Sequence, residues 1–434
     1  MGGRRIENYV PRIADAEIER LMGVFGAVVI EGPKWCGKTT TAREHAASET
    51  SMADPEGDFR ARCVAQLEPS LALQGDSPRL VDEWQDVPKL WDAVRYACDQ
   101  SERKGLFILT GSSTPRRRRG AGAGAERPRH SGAGRIARVR MDTMTLQELS
   151  LSSGEVSLGG LLAGERFSGL ATLDLTGLAQ AIVRGGWPEA MHMRADDAAI
   201  IAKEYLKAVV EEDIHEVDGI ERDKAKVRRL IASLARNEST LATSKTILRD
   251  MVGDDAPSLS YPTLSEYTDA LRRIFFIQDI EAWDPALRSP VRIRSSAKRH
   301  LADPSLAAAA LGASVDGLLQ DPKTFGFLFE SLVAHDLMVY AAAQDAHVRH
   351  YRDDAGREAD FIVERASGEW IAVEAKLGLA QVDAAAKNLL ALSAALTACG
   401  QRPPATLLVV VGNGGVAHVR ADGVQVAPLA TLGV

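Results

Sequence analysis

Eight residues near the start of the chain have the spacing of a phosphate-binding loop. The segment from Gly32 to Thr39, GPKWCGKT, matches the pattern GxxxxGK[ST] at every fixed position. In such a loop the glycines let backbone N–H groups turn toward phosphate oxygens. Lys38 then reaches the β- and γ-phosphates, and the Thr39 hydroxyl binds Mg²⁺. The predicted nucleotide-contacting residues are Gly32, Pro33, Lys34, Trp35, Cys36, Gly37, Lys38, Thr39 and Thr40.

Two adjacent acids follow the next apolar segment, in the stretch PRLVDEWQDVP. Asp82 at the end of this predicted strand can coordinate Mg²⁺, usually through water, and Glu83 can polarise an attacking water as a general base. A third apolar segment, GLFILTGSS, ends in Thr110, Gly111, Ser112 and Ser113. A polar residue at that strand end, with Thr110 as the candidate, could contact a γ-phosphate or that water. A solvated acidic strand end is the plain alternative. The three features in this order predict ATP hydrolysis with Mg²⁺.

An arginine-rich segment separates the third strand from the next predicted one. Nine arginines and one acid lie between Ser113 and Arg140, among many Gly, Ala and Pro residues that indicate a loop. Three interpretations are open: a solvated basic loop, a patch that contacts nucleic-acid phosphates, or an arginine that reaches a γ-phosphate in cis or in trans. Arg135 is the candidate for the third. The predicted catalytic residues are Lys38, Asp82, Glu83, Thr110 and Arg135.

A second group of residues that could do chemistry lies near the other end of the chain, in GREADFIVERASGEWIAVEAKLG. Asp360 opens one predicted strand, and Glu374 and Lys376 share one face of the next because side chains alternate along a strand. A hairpin loop with an odd residue count places Asp360 opposite them on that face. A two-residue loop centred on 367–368 places it opposite Ala375 instead.

If these side chains converge, two carboxylates can bind Mg²⁺ and the lysine can orient or activate water, as in the D…ExK arrangement of metal-dependent nucleases. Glu330, on the preceding predicted helix, is a further carboxylate. A charged hairpin with cross-strand ion pairs is the alternative. The predicted nuclease-like residues are Asp360, Glu374 and Lys376, and the predicted metal ligands over both sites are Thr39, Asp82, Glu330, Asp360 and Glu374.

The segment between the two sites is predicted to be mainly helical. Three helical patterns followed by an apolar pair of strands are typical of a winged-helix module, which binds DNA or protein. Candidate DNA contacts there are Arg292, Arg294, Lys298 and Arg299. A helix further upstream ends in Glu211, Glu212 and Asp213, which are predicted to form a solvated face.

Composition sets outer limits on the class of protein. The chain has 434 residues, 45% hydrophobic residues and a net charge of −7, so nucleic-acid binding would have to use local patches. Four scattered cysteines without a CxxC pair indicate neither a zinc site nor a disulfide framework. We expect a cytoplasmic protein without a signal peptide, since no apolar run, including ATLLVVVG at 405–412, approaches the length of a membrane span.

The chain resembles a group of bacterial and archaeal ATP-binding proteins that join an AAA-like ATPase domain to a C-terminal domain similar to restriction endonucleases. The resemblance spans nearly the whole chain in order, through EGPKWCGKTT, LVDEWQDVPKLWDAVR, FILTGSS, SGAGR, GGWPEA, GFLFESLV and READFIV…IAVEAKLG. It implies Lys38, Thr39, Asp82 and Glu83 at the nucleotide, and Asp360, Glu374 and Lys376 at the nuclease-like site. The segment between TGSS and SGAGR is longer and more basic than this resemblance implies.

Together these observations predict an α/β fold in three domains. Residues 1–165 would form a P-loop AAA-like ATPase domain with a parallel sheet, 166–310 a helical lid and winged-helix-like region, and 311–434 an α/β domain like the PD-(D/E)XK nucleases. Two functions follow from this prediction. One is a Mg²⁺-dependent ATPase coupled to double-stranded DNA or a protein partner, and the other is an ATP-dependent regulatory switch with a catalytically inactive nuclease-like domain.

Overall fold

The structure is a computed structural model that describes residues 9–113, 130–251, 260–285, 296–353 and 355–434. The chain divides into two compact units, each assembled from three separate segments. The first unit consists of Met1–Thr143, Glu212–Glu221 and Asp269–Phe276, and the second of Met144–Glu211, Arg222–Thr268 and Ile277–Val434. The three-domain boundaries at 165/166 and 310/311 stay predictions.

A five-stranded parallel sheet forms the centre of the first unit, with the strand order β2-β3-β4-β1-β5. All five residues of β1 are buried, as expected for a parallel strand covered on both faces. Val28 and Ile30 pack into one core, and Ala27 and Val29 pack into the core on the other face. The strands are β1 Ala27–Glu31, β2 Ser48–Ser51, β3 Arg79–Asp82, β4 Phe107–Gly111 and β5 Ile136–Arg140.

A mixed seven-stranded sheet forms the centre of the second unit, with the order β7-β12-β13-β11-β10-β9-β8, beside a two-stranded pair β14-β6. Strands β8, β9 and β10 are antiparallel neighbours, and β10 pairs in parallel with β11. The strands are β6 Val156–Ser157, β7 Gly169–Leu170, β8 Ala346–Arg352, β9 Glu358–Arg365, β10 Trp370–Lys376, β11 Thr406–Val411, β12 Val416–Val419, β13 Gln425–Pro428 and β14 Leu432–Gly433.

Helices account for most of the remaining described residues in both units. They are α1 Ala14–Met22, α2 Lys38–His45, α3 Glu56–Leu67, α4 Pro69–Ala72, α5 Lys89–Asp99, α6 Leu158–Leu162, α7 Leu175–Arg184, α8 Ala195–Ala208, α9 Ile214–Glu216, α10 Lys224–Arg236, α11 Ser244–Met251, α12 Tyr261–Arg273, α13 Pro304–Leu311, α14 Val315–Gln320, α15 Pro322–Ala343 and α16 Val382–Ala398. Short helical turns cover Trp84–Asp86, Pro188–Ala190, Val209–Asp213, Leu379–Gln381 and Leu429–Thr431.

The predicted three-helix pattern of the middle segment corresponds to α10, α11 and α12. Antiparallel bridges then join Ile277 to Leu301 and Ile280 to Lys298. Lys298 is only 7% exposed, and Arg299 donates to the Asp279 carboxylate with its side chain 13% exposed. The prediction that these two residues contact DNA is therefore wrong, because both side chains are committed to interactions inside the second unit. The other two candidates, Arg292 and Arg294, lie outside the described residues.

One helix corrects the expectation that no apolar run approaches a membrane span. By length and composition alone, α15 is apolar enough to cross a bilayer. Two thirds of its most apolar window is buried within the protein, and it carries the buried Phe325, Phe329 and Tyr340. The helix is thus the core helix of the second unit, covering β8 and β10.

Candidate functional site

The loop between β1 and α2 adopts the bend that its glycines were expected to allow. Gly37 has φ of 100°, in the left-handed region, and directly precedes the first residue of α2. At Gly32 the backbone approaches another segment so closely that an added Cβ would lie 1.9 Å from the Met141 carbonyl oxygen. Both glycines are needed for the geometry of this loop. The loop leads into the N-terminus of α2, where unpaired backbone N–H groups favour an anion.

The side chains of the loop point in different directions. The Lys38 ammonium donates to the Pro33 carbonyl oxygen at 2.7 Å, so this largely buried lysine spans the loop. Cys36 is fully buried and directs its thiol at the Met141 carbonyl oxygen. Trp35, at φ of 64°, is 52% exposed, and Thr40 is exposed on α2. Of these, Lys38 is the side chain positioned to meet a phosphate held by the loop.

Asp82 lies at the centre of a hydroxyl network at the carboxyl end of the sheet. Its Oδ1 atom accepts hydrogen bonds from Thr39 at 2.7 Å and from Thr110 at 2.6 Å. Its Oδ2 atom accepts from Ser51 at 3.0 Å. Residues at the carboxyl ends of β2, β3 and β4 therefore meet the start of α2 at one point. The fold brings Thr39 and Asp82 together, although they are 43 positions apart in the sequence.

Glu83 is held beside this network in an unusual backbone conformation. Its φ is 53°, a region that non-glycine residues rarely adopt and that clusters at functional sites. Thr110 accepts a hydrogen bond from the Glu83 N–H at 3.2 Å, and Ser112 donates to the Glu83 carboxylate at 3.1 Å. Gln85 donates to the same carboxylate oxygen as Ser112. Sequence reasoning named Ser112 only among the polar residues at the end of β4, and it missed Gln85, although Gln85 is two residues from Glu83.

Thr110 has a different role from the predicted one. Its side chain is fully buried, and its hydroxyl is shared between Asp82 and the Glu83 N–H. Because both interactions are internal, Thr110 positions the two acids and does not face a ligand.

The residues at this edge of the sheet fit a Mg²⁺–nucleotide. The Thr39 hydroxyl and the Asp82 carboxylate lie within hydrogen-bond distance of each other beside the loop, and both are the hard oxygen donors that Mg²⁺ prefers. The close-packed Gly32, the left-handed Gly37 and the start of α2 form a backbone that fits phosphate oxygens.

Arg135 lies at the wrong end of the sheet to reach a γ-phosphate in cis. It directly precedes β5, whose Ile136 pairs with Ala27 at the amino end of β1, whereas the phosphate-binding loop follows the carboxyl end of β1. About five residues at ~3.3 Å each separate the two ends. Arg135 also donates to Asp99 at 2.5 Å. The cis prediction is wrong, and most of the other arginines of that segment lie outside the described residues.

Asp213 is a site-facing residue that the sequence did not reveal. It is 6% exposed and binds the ammonium of Lys34, inside the phosphate-binding loop, at 2.5 Å. Burial by itself would lower the pKa of Lys34, but the hydrogen bond and charge of Asp213 outweigh it and raise that pKa. The prediction of a solvated acidic face is therefore wrong for Asp213. Glu211, by contrast, forms ion pairs with Lys224 and Arg228.

The second predicted site, in the second unit, has converging side chains. In the β9–β10 hairpin Phe361 pairs with Val373, so Asp360 stands opposite Glu374. The hairpin loop therefore has an odd number of residues, because the Arg365 N–H donates to the Glu369 carbonyl oxygen across it. Asp360 accepts hydrogen bonds from the Ala375 N–H at 2.9 Å and from Lys376 at 3.1 Å, and Lys376 lies 2.5 Å from Glu374.

Glu330 from α15 also joins this group, but through a second lysine. The Lys298 ammonium lies 2.6 Å from a Glu330 oxygen and 3.3 Å from an Asp360 oxygen. Asn388 of α16 donates to Glu374 at 2.7 Å. Lys298 and Asn388 were missed as members of this site because neither is close in sequence to the D…ExK residues. We call Lys298, Glu330, Asp360, Glu374 and Lys376 the carboxylate–lysine cluster.

The charges in this cluster shift the pKa values of its acids in opposite directions. Burial, followed by the charge of Asp360, raises the pKa of Glu330 and of Glu374. Burial would also raise the pKa of Asp360, but the charges of Lys298 and Lys376 outweigh it and lower that pKa. Asp360 is therefore the carboxylate that the two lysines hold ionised.

The carboxylate–lysine cluster does not fit the Mg²⁺ that was predicted for Glu330, Asp360 and Glu374. The Lys298 ammonium lies between the oxygens of Glu330 and Asp360. Within the described part of the chain, no three His, Cys, Asp or Glu side chains are grouped so that they could hold a metal ion.

Comparisons with known proteins agree with the architecture of the first unit. Residues 25–150 match the family model of an AAA domain. Two further models match later parts of the chain and are both described as domains of unknown function, DUF8612 over residues 175–316 and DUF4143 over residues 325–432. With the parallel sheet and the geometry of the loop, the first match supports a P-loop AAA-like ATPase fold for the first unit.

Two mycobacterial relatives match most of the chain. The uncharacterized proteins Rv2008c of Mycobacterium tuberculosis and Mb2031c of Mycobacterium bovis are each 25% identical over 370 residues, which is 82% of this chain and 74% of theirs. Among solved structures, the Walker-type ATPase PABY2304 of Pyrococcus abyssi is 12% identical, with a TM-score of 0.41 over 71% of this chain and 98% of its own. The ORC2 protein of Aeropyrum pernix, in ADPNP–ADP complexes, is 14% identical, with a TM-score of 0.31 over 73% and 97%.

Proposed function

We propose that the first unit binds ATP with Mg²⁺ and hydrolyses it. The observation that carries the proposal is the position of Asp82, which accepts hydrogen bonds from Thr39 and Thr110 and stands next to Glu83 in its left-handed conformation. Binding alone would need the loop, Lys38 and Thr39. A second acid held beside them by Ser112 and Gln85 supports hydrolysis, because a general base has to be oriented.

Each residue has a defined part in this proposal. The loop N–H groups and Lys38 bind the phosphates, and Thr39 and Asp82 hold Mg²⁺, which neutralises charge on the phosphate oxygens when bound. Glu83 takes a proton from water as the water oxygen bonds to the γ-phosphorus. The bond from the γ-phosphorus to the bridging oxygen then breaks, leaving ADP and inorganic phosphate. Thr110, Ser112 and Gln85 keep the two acids in place.

We further propose that the nucleotide cycle is coupled to double-stranded DNA or a protein partner through the remainder of the chain, in a cytoplasmic protein. The order helix α15, hairpin β9–β10, helix α16 and parallel β11, with Asp360 and Glu374 facing each other, supports a nuclease-like α/β domain. The three helices α10–α12 and the bridges after them support a winged-helix-like region.

A second candidate function is an ATP-dependent regulatory switch with a catalytically inactive nuclease-like domain. The observation that favours it is Lys298, which lies between two carboxylates that a nuclease would use for a metal ion. Under this proposal the second unit binds a partner and does not cleave nucleic acid.

Phosphate release from ATP, measured with and without double-stranded DNA, separates the two candidates. The coupled ATPase predicts turnover that DNA stimulates and that Lys38→Ala abolishes. The switch predicts ATP binding with little turnover and no response to DNA. Stimulation by DNA that survives in Lys38→Ala would point to a contaminating activity and contradict both.

A further inference from the structure

The carboxylate–lysine cluster has nearly balanced charge without any bound ion. Three carboxylates, Glu330, Asp360 and Glu374, face the two ammonium groups of Lys298 and Lys376. The exposures of Lys298, Asp360 and Glu374 are 7%, 9% and 3%, so water contributes little to their solvation. Buried charges persist when they are paired and hydrogen-bonded. Here the Ala375 N–H and Asn388 supply further hydrogen bonds to the acids.

Lys298 reaches the cluster from a separate part of the chain. Its backbone is fixed by the antiparallel bridge to Ile280, with hydrogen bonds of 2.8 and 2.9 Å in the two directions. Its ammonium also lies 5.2 Å from the centre of the Phe361 ring and 3.4 Å from the Asp360 carbonyl oxygen. Backbone pairing, an aromatic ring and three oxygen atoms thus fix the position of Lys298 within the second unit.

A divalent cation and this ammonium compete for the same oxygens. Mg²⁺ requires oxygen ligands at about 2.0–2.1 Å in near-octahedral geometry. The Glu330 and Asp360 oxygens that would supply them are 2.6 and 3.3 Å from the Lys298 nitrogen. An ion bound there would also be repelled by the buried positive charge of Lys298. The two cations therefore exclude each other.

We propose that the Lys298 ammonium takes the place of a metal ion in the carboxylate–lysine cluster, so that the cluster needs no metal. The same carboxylates can bind a divalent cation once this ammonium is removed. The inference concerns the second unit and does not rest on ATP hydrolysis by the first. Removing the ammonium while keeping the apolar stem, as in Lys298→Met, should open the site to a metal. Lys298→Arg keeps the charge and should leave it closed.

The test is Mn²⁺ binding to the whole chain without nucleotide. The concentration of free Mn²⁺ is measured from its electron paramagnetic resonance signal. We expect Lys298→Met to bind one more Mn²⁺ per chain than the wild type, at least tenfold more tightly than any wild-type site. The double variant Lys298→Met/Asp360→Asn should not have this additional site. Mn²⁺ should also raise the thermal midpoint of Lys298→Met by more than that of Lys298→Arg. All variants share the same phosphate-binding loop, so binding there cancels.

Two results would overturn the proposal. One is a folded Lys298→Met that gains no Mn²⁺ site. The other is a wild-type Mn²⁺ site that disappears in Asp360→Asn, which would mean that metal and Lys298 coexist. If Lys298→Met does not fold, the comparison of wild type with Asp360→Asn decides alone: equal binding supports the proposal, and loss of a site contradicts it.

Discussion

Asp82 depends on three hydroxyl groups from three different elements for its position. Ser51, Thr39 and Thr110 all donate to it, and Thr110 also accepts the Glu83 N–H. The positions of Lys38, Thr39 and Asp82 in a candidate site could be predicted from the sequence. The spacing of the loop and the acids at a strand end allow few other arrangements of these side chains. The role of Thr110 could not, since a buried orienting hydroxyl and a ligand-facing one look identical in a sequence.

Replacing Thr110 by valine tests its positioning role. Thr110→Val keeps the shape but removes the hydrogen bonds to Asp82 and Glu83. A hydrogen bond to a charged group contributes about 1.5–3 kcal/mol, and we expect kcat for ATP to fall by roughly ten- to a hundredfold with little change in KM. Thr110→Ser should restore most of the rate. A raised KM with unchanged kcat would show instead that Thr110 contacts the nucleotide.

At the scale of elements, the strands around both sites follow from the sequence, because short apolar runs bounded by glycine and acids have few other solutions. The register of the β9–β10 hairpin did not follow from the sequence, because a loop with an odd residue count and one with an even count both fit the same alternation of side chains.

In the motif GGWPEA, close packing accounts for the residues present. Gly186 donates its N–H to Asp303 at 2.9 Å, and the Trp187 indole donates to Ser305 at 3.0 Å. These contacts fix the turn after α7 against the start of α13.

Substitution of Gly186 should destabilise the second unit without touching either site. An added Cβ would lie 2.2 Å from the Met144 carbonyl oxygen, so Gly186→Ala forces the backbone apart. Overpacking of this kind costs about 1–3 kcal/mol. Chemical denaturation measures the loss. Gly326→Ala in α15 is the matched control, since its Cβ meets nothing within 4 Å and should be neutral or stabilising. Equal stability of the two variants would contradict the packing account.

In the molecule as a whole, each unit is assembled from segments that lie far apart in the chain. Glu212–Glu221 and Asp269–Phe276 belong to the first unit, more than 60 residues beyond its main segment. Asp213 binds Lys34, and Arg140 lies over the ring of Phe275. These are long-range contacts between residues that no local pattern relates. They hold part of the helical middle of the chain in the first unit.

Nucleotide binding should stabilise the protein through the first unit. A ligand at a hundred times its Kd adds about 2.7 kcal/mol to the free energy of unfolding. We expect a non-hydrolysable ATP analogue with Mg²⁺ to raise the thermal midpoint of the wild type, and to leave Lys38→Ala unchanged because its phosphate contact is missing. Calorimetry of both proteins measures the shift. The same rise in Lys38→Ala would place nucleotide binding elsewhere.

If Glu83 is the general base of the first unit, a variant without this carboxylate still binds ATP but hydrolyses it slowly. ATP affinity and phosphate release are compared between the wild type and Glu83→Gln, which keeps the side-chain shape and removes the base. We expect the ATP affinity of Glu83→Gln to stay within about threefold of the wild type and its turnover to fall by roughly a hundredfold or more, within the range of general-base catalysis. Unchanged turnover in Glu83→Gln, with binding intact, would rule out Glu83 as the general base.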